Sequence, residues 1–225
     1  VMGRYLSLQL NSLFRELKRR GYKVMILSYE DIDLFNENML KGVISIDFFQ
    51  RISYKWANLK NLPLVCLNDS SYHLESIYSV RSDQDKAMLE IVEHLAELNH
   101  RRIGCLQYFE HQPESKNINY HRESFINSVN SSPHKISPFI ETFTHRDSIH
   151  EAIGKLLLHD ITALIVRGES FTPCVRHSLE LYRQRIPDDI SVVTNDDEYS
   201  CRYYIPGQTT MAYNFPELSR QAVNM

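Results

Sequence analysis

Apolar residues along 4–20 recur at a helical spacing. Leu6, Leu10, Leu13, Phe14 and Leu17 fall at i, i+4, i+7, i+8 and i+11 and so share one face. Lys18, Arg19 and Arg20 close that helix, where cations suit the dipole, and Gly21 stands at the position after the cap. The pattern then shifts to short β-branched and aromatic runs separated by amphipathic stretches. Strands are predicted over Tyr22–Leu27, Gly42–Asp47, Leu64–Leu67, Ile77–Val80, Ile103–Leu106, Pro138–Thr142, Thr162–Val166 and Ile190–Val193, with an extended piece at Gln208–Ala212. Helices are predicted over 31–41, from Ser82 or Asp83 to about Leu98, over His121–Val129, Ile149–Leu158 and Phe171–Arg185, and from near Pro216. Residues 49–61, with Trp56, are mixed, and residues 108–120 read as a long loop.

Strands and helices thus alternate through the chain, which predicts an α/β architecture of parallel strands with right-handed crossovers. In such sheets ligands sit at the carboxyl ends of strands. Several predicted strands end in polar groups: Asn68 and Asp69, Gln107, Arg167 and Glu169, Asn195 and Asp196. In 186–197, Pro187 and Asp188 form a turn into the run Ile190–Val193, which ends in Asn195, Asp196 and Asp197.

Composition narrows the functions open to this fold. The chain has 225 residues, 43% hydrophobic and 24% charged, ordinary for a globular protein of one large domain or two small lobes. A net charge of −3, with no basic stripe or tail, makes this segment a poor grip for nucleic acid. No apolar run approaches the length of a membrane span, and no signal peptide is visible. The four cysteines, Cys66, Cys105, Cys174 and Cys201, lie far apart, which favours a reducing cytoplasm and gives no zinc site. With seven glycines and no GxGxxG or GxxxxGK[ST], no nucleotide cradle is indicated, and no cofactor or metal is expected. The carboxylate pairs Asp188/Asp189 and Asp196/Asp197 are adjacent in extended segments and point to opposite sides. They are poorly placed for acid/base work across one bond. No G-x-S-x-G elbow occurs, so an enzyme is not expected.

Three stretches resemble the effector-binding domain of the lactose/galactose-repressor (LacI/GalR) family of transcriptional regulators. His94-Leu95-Ala96-Glu97-Leu98-Asn99-His100-Arg101-Arg102-Ile103-Gly104 is similar to "HL..LGHRRIA", with Asn99 for the usual glycine. Ile186-Pro187-Asp188-Asp189-Ile190-Ser191-Val192 is similar to "IP.DISV", leading to Asp196-Asp197 as in "GFDD". Pro206-Gly207-Gln208-Thr209-Thr210 is similar to "P.LTT". The resemblance covers nearly the whole chain, in matching order and spacing. It implies a two-lobed fold like periplasmic sugar-binding proteins, each lobe a parallel sheet flanked by helices. The N-terminal lobe is expected at 1–108 plus 214–225 and the C-terminal lobe at 109–213. A small effector, commonly a sugar, would bind between the lobes of a cytoplasmic homodimer. Operator DNA would be contacted only through an N-terminal helix-turn-helix that is not in this chain. The alternatives are a secreted sugar-binding protein for transport or, less favoured, an α/β enzyme acting on sugars.

The family's ligand residues transfer in part. The resemblance implies Asp196 as the acceptor for ligand hydroxyls, Phe215 as a ring or apolar group packing on the ligand, and Asn68 as a polar strand end. The arginine of "R..GF" should stand four residues before Phe125, where the chain has His121, with Arg122 one later; both are candidates. Where the family has "ND..A" the chain has Arg167-Gly168-Glu169. Sugars need acceptors, a donor cation and an aromatic face. The residues themselves offer Arg167 as donor and Tyr213 or Phe109 as further rings.

Overall fold

The computed structural model describes residues 4–28, 40–46, 62–68, 78–108, 117–167, 171–195 and 201–225. The predicted helix at 31–41, except Leu40 and Lys41, which are not helical, and the mixed segment at 49–61 lie outside these residues.

Helix α1 (Arg4–Arg19) buries Leu13 of the predicted stripe and, outside that stripe's apolar set, Gln9. It ends in a Schellman motif: Tyr22 N–H donates to Leu17 O (3.0 Å) and Gly21 N–H to Lys18 O (3.0 Å), with Gly21 at φ 79°. The strand expected at Tyr22–Leu27 is not formed. Residues 22–28 belong to neither sheet, and Ile26 is 62% exposed. A β-prone run becomes a strand only where a ladder partner receives its backbone, and these residues have none in the described sheets.

Cα proximity divides the chain into two units, Val1–Ser82 with Tyr213–Met225 and Asp83–Ala212. The first holds a parallel sheet in the order β1 (Val43–Ile46), β2 (Leu64–Leu67), β3 (Tyr78–Val80). Leu67, Val80 and Leu13 form its core with Leu218 and Ala222 of the last helix, Phe215–Asn224. The second unit holds β4 (Arg102–Tyr108), β5 (Ser137–Phe143), β6 (Ala163–Arg167), β7 (Ser191–Thr194) and β8 (Thr209–Thr210), all parallel, in the order β5-β4-β6-β7-β8. The sequence reading put β4 in the first lobe. Its backbone is hydrogen-bonded on both sides to β5 and β6, so it belongs to the second unit.

Among the described residues, four helices flank this second sheet: α2 (Gln84–Glu97), α3 (Asn117–Ser131), α4 (Ser148–Leu157) and α5 (Thr172–Leu181). The helix of residues 215–224 is α6. Helix α3 starts four residues before the predicted His121, shortening the expected loop. Strand residues alternate between two cores. Ile103, Cys105, Ile165 and Val193 pack with Met88, Val92 and Phe125 from α2 and α3. Leu106, Leu164, Val166 and Val192 pack with Ile149, Ile153 and Leu179 from α4 and α5. Burial on both faces explains why β4 and β6 read as continuous apolar runs. Gly104 faces the α4/α5 core, where a Cβ would stand 2.7 Å from Ile161 Cδ1.

The conspicuous charged motifs are largely structural. His100 bridges Thr162 Oγ1 and Ser191 Oγ, both at 2.9 Å, tying together the amino ends of β4, β6 and β7. Arg102 donates to His159 O through Nε (2.8 Å) and Nη2 and lies over the Phe139 ring. Asp189 accepts from the backbone N–H of Arg185 and takes its guanidinium in a fork at 2.8 and 2.9 Å. That arginine holds the Asp189 carboxyl down to about 2.

Asn99, at φ 65°, fills the place of the family's glycine. His100 N–H donates to Leu95 O and Asn99 N–H to Ala96 O, both at 3.0 Å, another Schellman closure. Helix α5 closes in the same way on Arg183 at φ 58°, with Gln184 N–H on Leu179 O (2.8 Å). Asparagine tolerates this region, but arginine carries the Cβ penalty. Arg183→Gly is therefore expected to raise stability by about 1 kcal/mol, read as a higher urea midpoint at unchanged m-value.

Candidate functional site

The alternation along the strands determines which polar groups gather at the carboxyl edge of the five-stranded sheet. Beyond Cys105 the next residue on the α2/α3 face is Gln107, beyond Ile165 it is Arg167, and beyond Val193 it is Asn195. Gln107 is in register with Arg167 across β4 and β6, and Asn195 N–H donates to Val166 O (3.1 Å) beside Arg167. All three are buried: Gln107 is 4% exposed, Arg167 5% and Asn195 6%.

Helices in a parallel crossover run antiparallel to the strands, so the N-terminal turns of α2 and α3 lie at this same edge. They deliver Gln84 and His121. Arg167 Nη2 donates to Gln84 Oε1 (3.1 Å) and to His121 Nδ1 (2.8 Å). A guanidinium can only donate, so His121 accepts at Nδ1 and carries its proton on Nε2. Burial, then the Arg167 charge, push the His121 pKa down to about 4, against a smaller opposing pull from Asp85. Nearby, Gln107 Nε2 lies 3.6 Å from Cys105 Sγ. Burial pushes that thiol up to about 11 even though Arg167 and Gln107 favour the thiolate. Two buried polar atoms here have no hydrogen-bond partner, Arg167 Nη1 and Asn195 Oδ1. Groups of this kind are normally satisfied, and an orphan at a strand end points to a binding partner.

On the other face of the same edge, Tyr108, Phe143 and Phe171 form a ring triad with centroids 4.8 to 5.5 Å apart.

The first unit has a group of its own. Asn68, at φ 54°, follows β2; its Nδ2 donates to Tyr5 Oη and its Oδ1 accepts from Ser82 N–H (3.3 Å). Tyr5 packs edge-on against Tyr213 (5.1 Å) and Phe215 (5.5 Å), which stack at 5.6 Å.

The eight sequence candidates thus divide. Asn68, Tyr213 and Phe215 come together in one unit, and His121 and Arg167 in the other. Arg122 is exposed on α3 and makes none of these contacts. Asp196 and Phe109 lie outside the described residues. Gln84 and Tyr5 were not anticipated. Each sits at a helix start, Gln84 directly after the N-cap Asp83, and such starts face strand carboxyl ends; that positional signal was available. Among the described residues no three His, Cys, Asp or Glu side chains are grouped to hold a metal, and no helix is long and apolar enough to cross a membrane.

Residues 92–225 match the family described as the periplasmic binding protein-like domain. The chain belongs to this family. Within it, the periplasmic binding protein-like domain found here is of the LacI/GalR effector-binding type. One similar curated protein is the HTH-type transcriptional repressor PurR of Pasteurella multocida, 24% identical over 223 residues, covering 92% of this chain and 65% of that protein. The PurR repressor of Haemophilus influenzae strain PittEE is 27% identical over 137 residues, 59% of this chain and 40% of that protein. The chain therefore spans less than two thirds of the length of these relatives. Among solved structures, a LacI transcriptional regulator from a Rhodococcus species superposes with a TM-score of 0.82 at 20% identity, covering 98% of this chain and 84% of that one. The LacI-family regulator CCPA from Weissella paramesenteroides, with bound sucrose, gives 0.82 at 18% identity, covering 100% and 87%. The expected α/β fold of parallel sheets flanked by helices is thus the fold found.

The half-buried neutral imidazole has a consequence for pH. The folded pKa of His121, about 4, lies below the unfolded value of about 6.5, so between these values the unfolded chain holds the extra proton. His121 contributes no slope above pH 6.5 and costs stability as pH falls from 6.5 to 4, by at most about 1.4 kcal/mol per pH unit. His121→Gln, which keeps an acceptor for Arg167, is expected to flatten that part of the curve in urea melts taken across the range.

Proposed function

We propose that this chain is the effector-sensing and dimerisation domain of a bacterial LacI/GalR-like transcriptional regulator, cytoplasmic and without catalytic activity. Its ligand is a small hydroxylated molecule, a sugar or sugar derivative. The observation that carries this reading is the convergence of Gln107, Arg167 and Asn195 at the carboxyl edge of one sheet, with two of their buried polar atoms unpaired. Polar groups aimed from strand ends and short of partners suit recognition of hydroxyls better than chemistry on them. Asp196, one residue past Asn195 in the sequence, is proposed as a further acceptor.

The relatives support the regulatory half of this proposal, being transcriptional repressors, and the sucrose-bound regulator supports the ligand class. Regulation then works by population shift. The effector favours one conformation of a homodimer, and the bias reaches operator DNA through a DNA-binding domain outside this chain.

A thermal-shift screen against sugars and sugar derivatives tests the sensor, because a ligand of the folded state raises the melting point. The hit is expected to change the operator affinity of the full-length regulator; a hit that leaves operator binding untouched defeats the regulatory reading. Asp196→Ala is expected to weaken the hit by about 1–3 kcal/mol, the scale of leaving a polar partner unpaired. Unchanged calorimetric affinity removes Asp196 from the site.

A further inference from the structure

We propose that the effector carries an oxyanion, a carboxylate or phosphate group, and that Arg167 is its anchor; this rests on the sensor reading above and sharpens it. A guanidinium is charged at every accessible pH, and a buried charge needs an opposite one or a full set of acceptors. Arg167 is 5% exposed, yet its described partners are a neutral amide, Gln84, and a neutral imidazole, His121. Both use the same nitrogen, Nη2, and Nη1 has no partner. No described carboxylate forms an ion pair with it. The carboxylate that acts on His121, Asp85, is exposed and already accepts from Tyr120 Oη (2.9 Å).

Among the described residues, the carboxylates at the start of α2 are exposed and engaged elsewhere, Asp83 with Lys86 N–H and Asp85 with Tyr120. Cys105 remains a thiol and His121 is uncharged. The N-terminal turns of α2 and α3 direct their positive dipole ends toward this edge, and the first turn of α3 carries no acidic residue. Among the described residues the Arg167 charge thus has no ion-pair partner and keeps a free donor at Nη1. Beside it are an unpaired amide end on Asn195 and the Gln107 amide, suited to a hydroxyl on the same ligand. A neutral sugar would satisfy the hydrogen bond at Nη1 and leave the charge buried and unpaired. An oxyanion satisfies both and can take the guanidinium in charge-assisted contact.

The test uses the whole chain in a buffer free of phosphate, at constant ionic strength, with four probes: inorganic phosphate, glucose 6-phosphate, galacturonate and glucose. At about five times its Kd, an anionic probe is expected to raise the wild-type melting temperature by about 2–4 °C, while glucose at equal concentration gives a smaller shift. Arg167→Gln should abolish the anion-specific shift, and Arg167→Lys, which keeps the charge, should retain part of it and serves if the glutamine variant does not fold. Glucose 6-phosphate against galacturonate separates phosphate from carboxylate recognition. Equal anion shifts in wild type and Arg167→Gln mean nonspecific salt stabilisation and overturn the proposal, as does the absence of any shift with all three anions. A glucose response that controls operator binding and survives Arg167→Gln, with the anions silent, removes the oxyanion and leaves the sensor standing. Anion binding that depends on Arg167 but never alters operator affinity does the reverse.

Discussion

The five-stranded sheet of the larger unit is covered by helices on both faces, and this constraint governs where its polar residues can be. An interior strand position there must be apolar, because a polar group would meet packed side chains above and below. Polarity is therefore displaced to the strand ends. At the amino ends it serves architecture: His100 bridges two hydroxyls on neighbouring strands, and Arg102 closes the end of the α4 turn. At the carboxyl ends the same constraint concentrates Gln107, Arg167 and Asn195 on the side of α2 and α3 and leaves them incompletely satisfied. His100 and Arg102 at the amino ends have their partners, whereas Arg167 Nη1 and Asn195 Oδ1 at the carboxyl ends have none.

Most of the fold was legible because it depends on local signals. Continuous apolar runs marked β4, β6 and β7, stripes marked α1 and α2, and the His-Arg-Arg motif marked the start of β4. Tyr22–Leu27 misled because propensity records what a residue tolerates, whereas a strand exists only with a neighbour. The lobe boundary misled for a related reason: nothing in the sequence of β4 tells which strands will bond to it, and its position between β5 and β6 is a long-range fact.

The site was legible in outline and less so in detail. Polar strand ends identified Arg167 and Asn68 without alignment to anything. The choice between His121 and Arg122 needed three dimensions, since a step of one residue turns a side chain by about 100° around the helix; here His121 faces Arg167 and Arg122 faces solvent. At the helix position where the LacI/GalR pattern has arginine stands His121, and its imidazole accepts from Arg167 at the end of β6.

The way the chain passes between its units also bears on how it is made. Asp83–Ala212 is continuous in sequence, while the other unit is closed by contacts between residues far apart, such as Gln9 Nε2 donating to Ser219 Oγ at 3.1 Å. A growing polypeptide presents the whole of the inner unit before it presents α6. During synthesis α1 therefore shares a core with β1–β3 first, and gains its α6 neighbours Leu218 and Ala222 only when residues 215–224 emerge. Until then that side of its apolar stripe lacks a covering partner.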